Sequence, residues 1–505
     1  MANIIHTEGG RLAGDSQHGV IVGMVRAAVQ ANPPGGLVLH FHGGLVNEAA
    51  GRTIAATLDP VYRGAGAVPF FHVWESGLLE TIGNNLGTIA REAIFGLLTS
   101  RIEQIVKRKF AQGIGDRATG TLPPMPLAPI EAGVRARLSD AGSPGLARGE
   151  EPAMPESVSE LSQTELDSLE IELQMDQPLT SEIQRITDGL AEPGALDAAV
   201  AARDAFAPRG STATLMDPAA LKKYVDQPQA GQRGFINPIK FVKGVVTIAA
   251  QVIWRFVRQR DHGVHATISE EILRELYIGR IGGWVWKQMK QDTDDAFGAD
   301  PLRYGGSALV AALKDVVGGD APPKITLVGH STGAVYIANL LRYAHGVLPA
   351  AWKFDVMFLA GAVTCEYWSN QVLTSAAGSR IRNYRSFGME DALERSDVLV
   401  RQVPFVYPSS LLYLVSGLFE HEVDAPLVGV QRYYDAARYP AGKFPAVESV
   451  RAFLSPTPAP TVWSATVANA PAGRRSASKS HGGFDTPADD RETMKSVAHI
   501  IAQGF

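Results

Sequence analysis

Cysteine is almost missing. Cys365 stands alone among 505 residues, so no internal disulfide can close and no cysteine cluster can hold a structural zinc. A reducing compartment suits such a chain. An excess of basic residues is missing too, with 47 Lys and Arg against 52 Asp and Glu and a net charge of -5. A polynucleotide partner calls for a clustered basic surface, so the balance argues against nucleic acid. The opening residues Met1 to Glu8 have neither the basic start nor the apolar core of a signal peptide, and the expected location is the cytoplasm. A bilayer span requires roughly 20 apolar residues. The most apolar stretch, Phe241 to Val257, is shorter and contains Lys243 and Arg255, so a spanning helix is not expected. No calcium loop of the D-x-[DN]-x-[DN]-G type occurs, and no repeat at a fixed period.

What is present is ordinary globular material, 45% hydrophobic and 20% charged, enough for a sizeable core. Short apolar runs alternate with helix-compatible segments, the pattern of a parallel sheet. Leu37 to Phe41 and Val68 to Trp74 are the first two predicted strands, Ile325 to Val328 the next. Phe354 to Ala360, Arg382 to Phe387 and Thr461 to Val467 follow. The expected class is α/β, a mostly parallel central sheet flanked by helices and interrupted by a long, mainly helical insertion. Residues 1–95 and 301–505 form the core in this reading, 96–230 a partly linker-like insertion and 231–300 a helical cap or lid. The Pro-rich stretch Leu122 to Pro129 reads as a spacer. The acidic run from Glu150 to Glu192, with Arg185 its one basic residue, reads as a flexible or loosely helical segment with a solvated surface. Residues 241–257 are open to two readings, a helix buried against its neighbours or a surface that rests on lipid.

The richest local signal is Gly329-His330-Ser331-Thr332-Gly333, set between the apolar run Ile325 to Val328 and the helix-compatible segment Ala334 to Leu341. A G-x-S-x-G arises by accident about 0.3 times in a chain this rich in glycine, so the motif alone decides little. Its context decides more. A strand turning sharply into a helix lifts the central hydroxyl out of the sheet edge, and small residues on either side make room for the turn. Ser331 is therefore the candidate nucleophile.

A serine hydroxyl at neutral pH needs a base to take its proton and donors to receive the charge that develops on the attacked oxygen. Gly43 and Gly44, after the first predicted strand, and the N–H of Thr332 are the candidate oxyanion donors. His40 and His42 read as loop-orienting residues, since an H-x-H pair without a third ligand is a weak zinc signal. For the base, His481 lies on a glycine-flanked loop beyond the last strand, whereas His499 reads as part of a terminal amphipathic helix and His330 as a residue that shapes the turn. The third member is a carboxylate that orients the imidazole. Asp391, after the strand ending at Phe387, is the first choice; Asp397, Glu390 and Glu366 are its rivals.

The order Ser331, Asp391, His481, the elbow at 329–333 and the upstream His42-Gly43-Gly44 together resemble the α/β-hydrolase fold superfamily of esterases and lipases. The resemblance covers about residues 30 to 95 and 300 to 505. It implies an α/β-hydrolase fold, a catalytic Ser331 with His481 as base and Asp391 as its partner, and a cap built from the insertion. Haloalkane dehalogenases and epoxide hydrolases, similar in fold, place an aspartate where Ser331 stands. The expected activity is hydrolysis of a carboxylic ester, on a small-molecule or lipid-like substrate, through an acyl-enzyme and with neither metal nor organic cofactor. A thioesterase or an amidase would use the same machinery. A hydrolase-fold scaffold without activity, its insertion docking a partner or a membrane surface through 241–257, is the alternative from another class.

Overall fold

A computed structural model describes residues 2–44, 46–74, 78–114, 159–189, 214–225, 236–278, 283–319, 322–399, 407–486 and 490–505. The Pro-rich stretch 122–129 lies outside them. The chain divides into two compact units, the first made of residues 1–80, 284–397 and 410–505, the second of 81–283 and 398–409.

The first unit is built on an eight-stranded sheet in the order β2-β1-β4-β3-β5-β6-β7-β8. Its strands are β1 (Asn3–Glu8), β2 (Arg11–Leu12), β3 (Leu37–Phe41), β4 (Val68–Trp74), β5 (Ile325–His330), β6 (Phe354–Leu359), β7 (Ile381–Met389) and β8 (Thr461–Ser464). All neighbours are parallel except β2, which pairs antiparallel with β1. Every residue of β3, β5 and β6 is buried. Strands covered by helices on both faces read as continuous apolar runs rather than alternating ones, which is why these were visible in the sequence. The sequence reading passed over β1 and β2, whose six and two residues mix polar with apolar side chains.

Helices flank the sheet. His18–Gln30 packs on Gly305–Val317, and Glu48–Gly64 on β4. The helix Gly333–Val347 follows β5 at once, burying Ala334, Ala338 and Leu341. Arg491–Gln503 is the terminal amphipathic helix foreseen around His499, with Met494, Val497, Ile500 and Ile501 buried. Its last carbonyls are among the acceptors a helix leaves unpaired, and Lys324 Nζ donates to that of Ile501 at 2.7 Å.

The second unit is helical. Pro238–Val257 packs against Ala93–Ile114, Gln163–Gln174 and Val264–Leu276. Phe241, Val245, Ile248, Val252, Ile253 and Phe256 are buried in it, which is the packed-helix reading of residues 241–257. Arg255, fully buried, is neutralised by Glu270 at 2.6 Å and Glu271 at 2.9 Å, and Glu270 also receives the Tyr407 hydroxyl. Removing one member of such a group would strand a buried charge, typically at a cost of about 3–5 kcal/mol. Within its described part, 159–189, the acidic run is helical and mostly exposed, and its acids add a feature that was not expected. Two helices form there, the first opened by a Ser162–Glu165 capping box. Its acids are paired rather than merely solvated: Glu172 with Arg108 at 2.7 Å, Glu165 with Lys109 at 2.7 Å and Asp176 with Arg101 at 2.5 Å. Complementary charge on the neighbouring helix, distant in sequence, was invisible to a local reading. Among the described residues no helix is long and apolar enough to cross a membrane.

Candidate active site

The chain leaves β3 for β4 on one side of the sheet and β5 for β6 on the other, so the strand order reverses between β3 and β5. Loops leaving such a switch point diverge and open a crevice beyond the carboxyl ends of the strands. Register then decides what meets there. Phe41 lies opposite Gly329, which sets His42-Gly43-Gly44 beside His330-Ser331-Thr332.

Ser331 occupies the left-handed region with φ 53°, the conformation of a strained strand-to-helix turn. Surrounding hydrogen bonds fix it there. Its N–H donates to Leu359 O at 2.9 Å, and its carbonyl accepts from Ala362 N–H at 2.9 Å and Ala334 N–H at 3.0 Å. Both elbow glycines are required by space: a Cβ at Gly333 would meet Phe41 O at 2.2 Å, and one at Gly329 would meet Gly333 C at 2.7 Å.

The glycines after β3 allow an equally close approach. A Cβ on Gly43 would come within 3.3 Å of Ser331 Cβ, and one on Gly44 within 2.7 Å of Thr332 Oγ1. The N–H groups of Gly43 and Thr332 donate to no acceptor among the described residues. His42 explains part of the loop's shape. Its Nδ1 donates to Gly43 O at 2.7 Å while Nε2 accepts from Trp74 N–H at 3.2 Å, and the ring stacks on Trp74. Those partners define a neutral ring with its proton on Nδ1, and burial holds its pKa down at about 4. His40, bonded to Tyr62 Oη at 2.9 Å, is held by burial at about 3. His42 thus orients the loop after β3, whereas His40 lies within β3 and ties it to the helix Glu48–Gly64.

The loop beyond β8 is docked against the elbow. His330 Nε2 lies 3.0 Å from the carbonyl oxygen of His481, and the two rings are 5.0 Å apart. The His481 ring is 6% exposed, and neither of its nitrogens has a hydrogen-bond partner among the described residues. Burial first, and then the His330 ring, hold its pKa well below the ordinary imidazole value, so it is a neutral proton acceptor. Ser331 Oγ likewise has no hydrogen-bond partner among the described residues.

Of the four candidate carboxylates, Asp397 is the one brought to His481: its Oδ2 accepts the His481 backbone N–H at 2.7 Å. Asp391, the first choice from sequence, faces elsewhere. It receives the Tyr413 hydroxyl and pairs with Arg395 at 3.1 Å, and its own N–H donates to Gln431. The cause is local: Asp391 opens a helical turn, Asp391–Glu394, where an acid four residues ahead of an arginine forms an intrahelical pair. The chain must complete that turn before it reaches the His481 loop. Glu390 caps the turn without a side-chain bond, and Glu366 is exposed at the start of the short helix after β6.

Between Asp391 and Asp397 the same loop buries Glu394 completely, and burial raises its pKa from 4.5 to about 8. A carboxyl whose folded pKa is raised binds its proton more tightly in the folded state, so stability falls as pH climbs through that interval. Relative to Glu394→Gln, the wild-type urea midpoint is expected to drop between mildly acidic and mildly alkaline buffer. A constant difference across the range would contradict the assignment.

Sequence reasoning gave Asp485 no role. It is 3% exposed, and its Oδ2 lies 2.9 Å from His330 Nδ1. Oδ2 meets no donor at a hydrogen-bonding angle, so the contact is not an aligned hydrogen bond; it is an ion pair when the His330 ring is protonated. A carboxylate four residues past a candidate base on one short loop was the available signal. No family model, no curated protein and no solved structure matches this chain.

Proposed function

We propose that the protein is a serine hydrolase of the α/β-hydrolase type that cleaves a carboxylic ester through an acyl-enzyme. The observation that carries the reading is Ser331 at φ 53° between β5 and the helix Gly333–Val347, a backbone strain that a purely structural turn has no reason to keep. Its surroundings supply the remaining parts. Ser331 attacks the carbonyl carbon and its proton passes to His481. The tetrahedral oxyanion is received by the free N–H groups of Gly43 and Thr332, with Gly44 completing the loop. His481 then returns the proton to the leaving alcohol, and water repeats the sequence to release the acid. Asp397 takes the orienting role in place of Asp391. It already holds the His481 backbone, and rotation of the imidazole on substrate binding places the ring between carboxylate and serine, a tightening common when catalytic groups meet substrate.

The apolar helix that suggested a lipid-like ester is packed inside the second unit, so the ester reading rests on the site alone. A fluorophosphonate probe with mass-spectrometric mapping is expected to label Ser331, and p-nitrophenyl esters of rising chain length then define the acyl preference. Asp397→Asn should lower turnover by about 10⁴-fold by leaving the imidazole in the wrong tautomer. Asp391→Asn should leave turnover nearly unchanged. Labelling at another residue, or equal loss in the two variants, would overturn the assignment.

A further inference from the structure

His330 sits between two groups that can only accept a hydrogen, the carbonyl of His481 at 3.0 Å from Nε2 and the carboxylate of Asp485 at 2.9 Å from Nδ1. A neutral imidazole has one N–H, so one of these approaches would set lone pair against lone pair. An imidazolium donates to the carbonyl and brings the positive charge that pairs with the carboxylate. The charged and titratable groups that face the ring are few. Asp485 is the anion; His481 comes from the same loop, and His40 and His42 from β3 and its following turn. His40 and His42 are held neutral by burial, which leaves Asp485 as the counter-charge. Burial disfavours charge on His330, but Asp485 and the His481 carbonyl outweigh it and raise the pKa above the ordinary 6.5. Asp485 is correspondingly lowered: burial opposes ionisation, and the His330 charge outweighs it.

We propose that His330 is a positioning residue that, as a cation, ties the His481 loop to the strand that carries the nucleophile, and that the base is docked only while this ring keeps both its protons. The proposal rests on the reading of Ser331 and His481 as nucleophile and base. Two consequences follow from the geometry. The cation beside His481 favours the neutral form of that ring, the form that can accept the serine proton. Deprotonation of His330 removes its charge together with one of its two N–H groups, so the ion pair with Asp485 is lost and the hydrogen bond to the His481 carbonyl survives only if the remaining proton stays on Nε2. The sign is that of a raised pKa: docking is complete in acid, below the ordinary imidazole value, and is lost as pH rises through the raised value.

The test uses the full-length protein with ring-¹⁵N histidine. NMR is expected to show His330 titrating above the ordinary imidazole midpoint, with two ring protons below it, assigned by their absence in His330→Gln. The rate at which a fluorophosphonate probe labels Ser331 should fall on the alkaline side with the midpoint of the His330 titration. His330→Gln should label about 100-fold more slowly, as expected when a reacting group is misplaced by about an ångström. Should that variant fold poorly, Asp485→Asn keeps the ring but removes its counter-charge, and its alkaline limb should move to lower pH. A His330 ring that titrates at or below the ordinary imidazole midpoint in a protein that still labels would overturn the role of His330 and leave the nucleophile intact. Wild-type rates in His330→Gln, or an unmoved limb in Asp485→Asn, would do the same. A two-proton ring with no labelling of the wild type would instead remove the nucleophile reading, and the positioning role with it.

Discussion

Glycine at position 331 is expected to give a protein that is more stable than the wild type and inert toward both probe and ester. The serine now pays for a left-handed backbone at φ 53°, a conformation that costs a residue with a side chain on the order of 1–3 kcal/mol and glycine very little. The hydrogen bonds that hold it there run through backbone atoms, to Leu359, Ala362 and Ala334, and survive the substitution. Glycine also widens the freedom of the unfolded chain, which offsets part of the gain. The net expectation is a rise of about 1 kcal/mol in unfolding free energy, read from urea midpoints at constant slope. Loss of the nucleophile alone removes nearly all of the acceleration in a serine hydrolase, about 10⁶-fold where the whole triad acts as a unit. A Ser331→Gly protein that is both less stable and still active would show that neither the strain nor the hydroxyl has the role given to it.

Alanine at position 333 should have the opposite effect on the fold. The added methyl would lie 2.2 Å from Phe41 O, and that oxygen belongs to β3, whose place is fixed on both sides by β4 and β5. Neither a rotamer change nor a flexible side chain can relieve it. Either the helix Gly333–Val347 lifts from the sheet or β3 shifts, and overpacking of this kind costs about 3 kcal/mol. The expected result is a lower urea midpoint and weak probe labelling, because Thr332 and the nucleophile move with the helix start. Gly346, near the other end of the same helix, is a matched control. A Cβ there meets nothing within 4 Å, and Gly346→Ala should be neutral or slightly stabilising. Equal midpoints for the two variants would contradict the packing argument.

The parallel core was legible because its central strands are buried on both faces and announce themselves as unbroken apolar runs: Leu37 to Phe41 and Val68 to Trp74 were read with the observed bounds. The edge was not. Arg11–Leu12 is too short to show a period, and Asn3–Glu8 has only Ile4 and Ile5 as apolar residues. In the site, what local sequence dictates could be read, namely an elbow whose glycines are forced by contacts of 2.7 Å or less and a glycine loop after β3. What depends on the path of a loop could not. Asp391 and Asp397 are both acids after the same strand, and only the helical turn between them aims one at Arg395 and the other at His481. The pairing of His330 with Asp485 joins residues from opposite ends of the second half of the chain, and no periodicity encodes it. Segment 398–409 also belongs to the second unit, although it lies far from 81–283 in sequence.

The pairing of β3 with β5 has a consequence for the order in which the protein is made. Its two strands are separated by nearly the whole second unit, and the histidine loop comes later still, after β8. Contacts so distant along the chain form slowly, since a long loop must close before any bond repays it. A nascent polypeptide therefore carries its glycine loop at 42–44 with nothing opposite it until β5 has been made, and the residues proposed as nucleophile and base can meet only once residue 481 has followed.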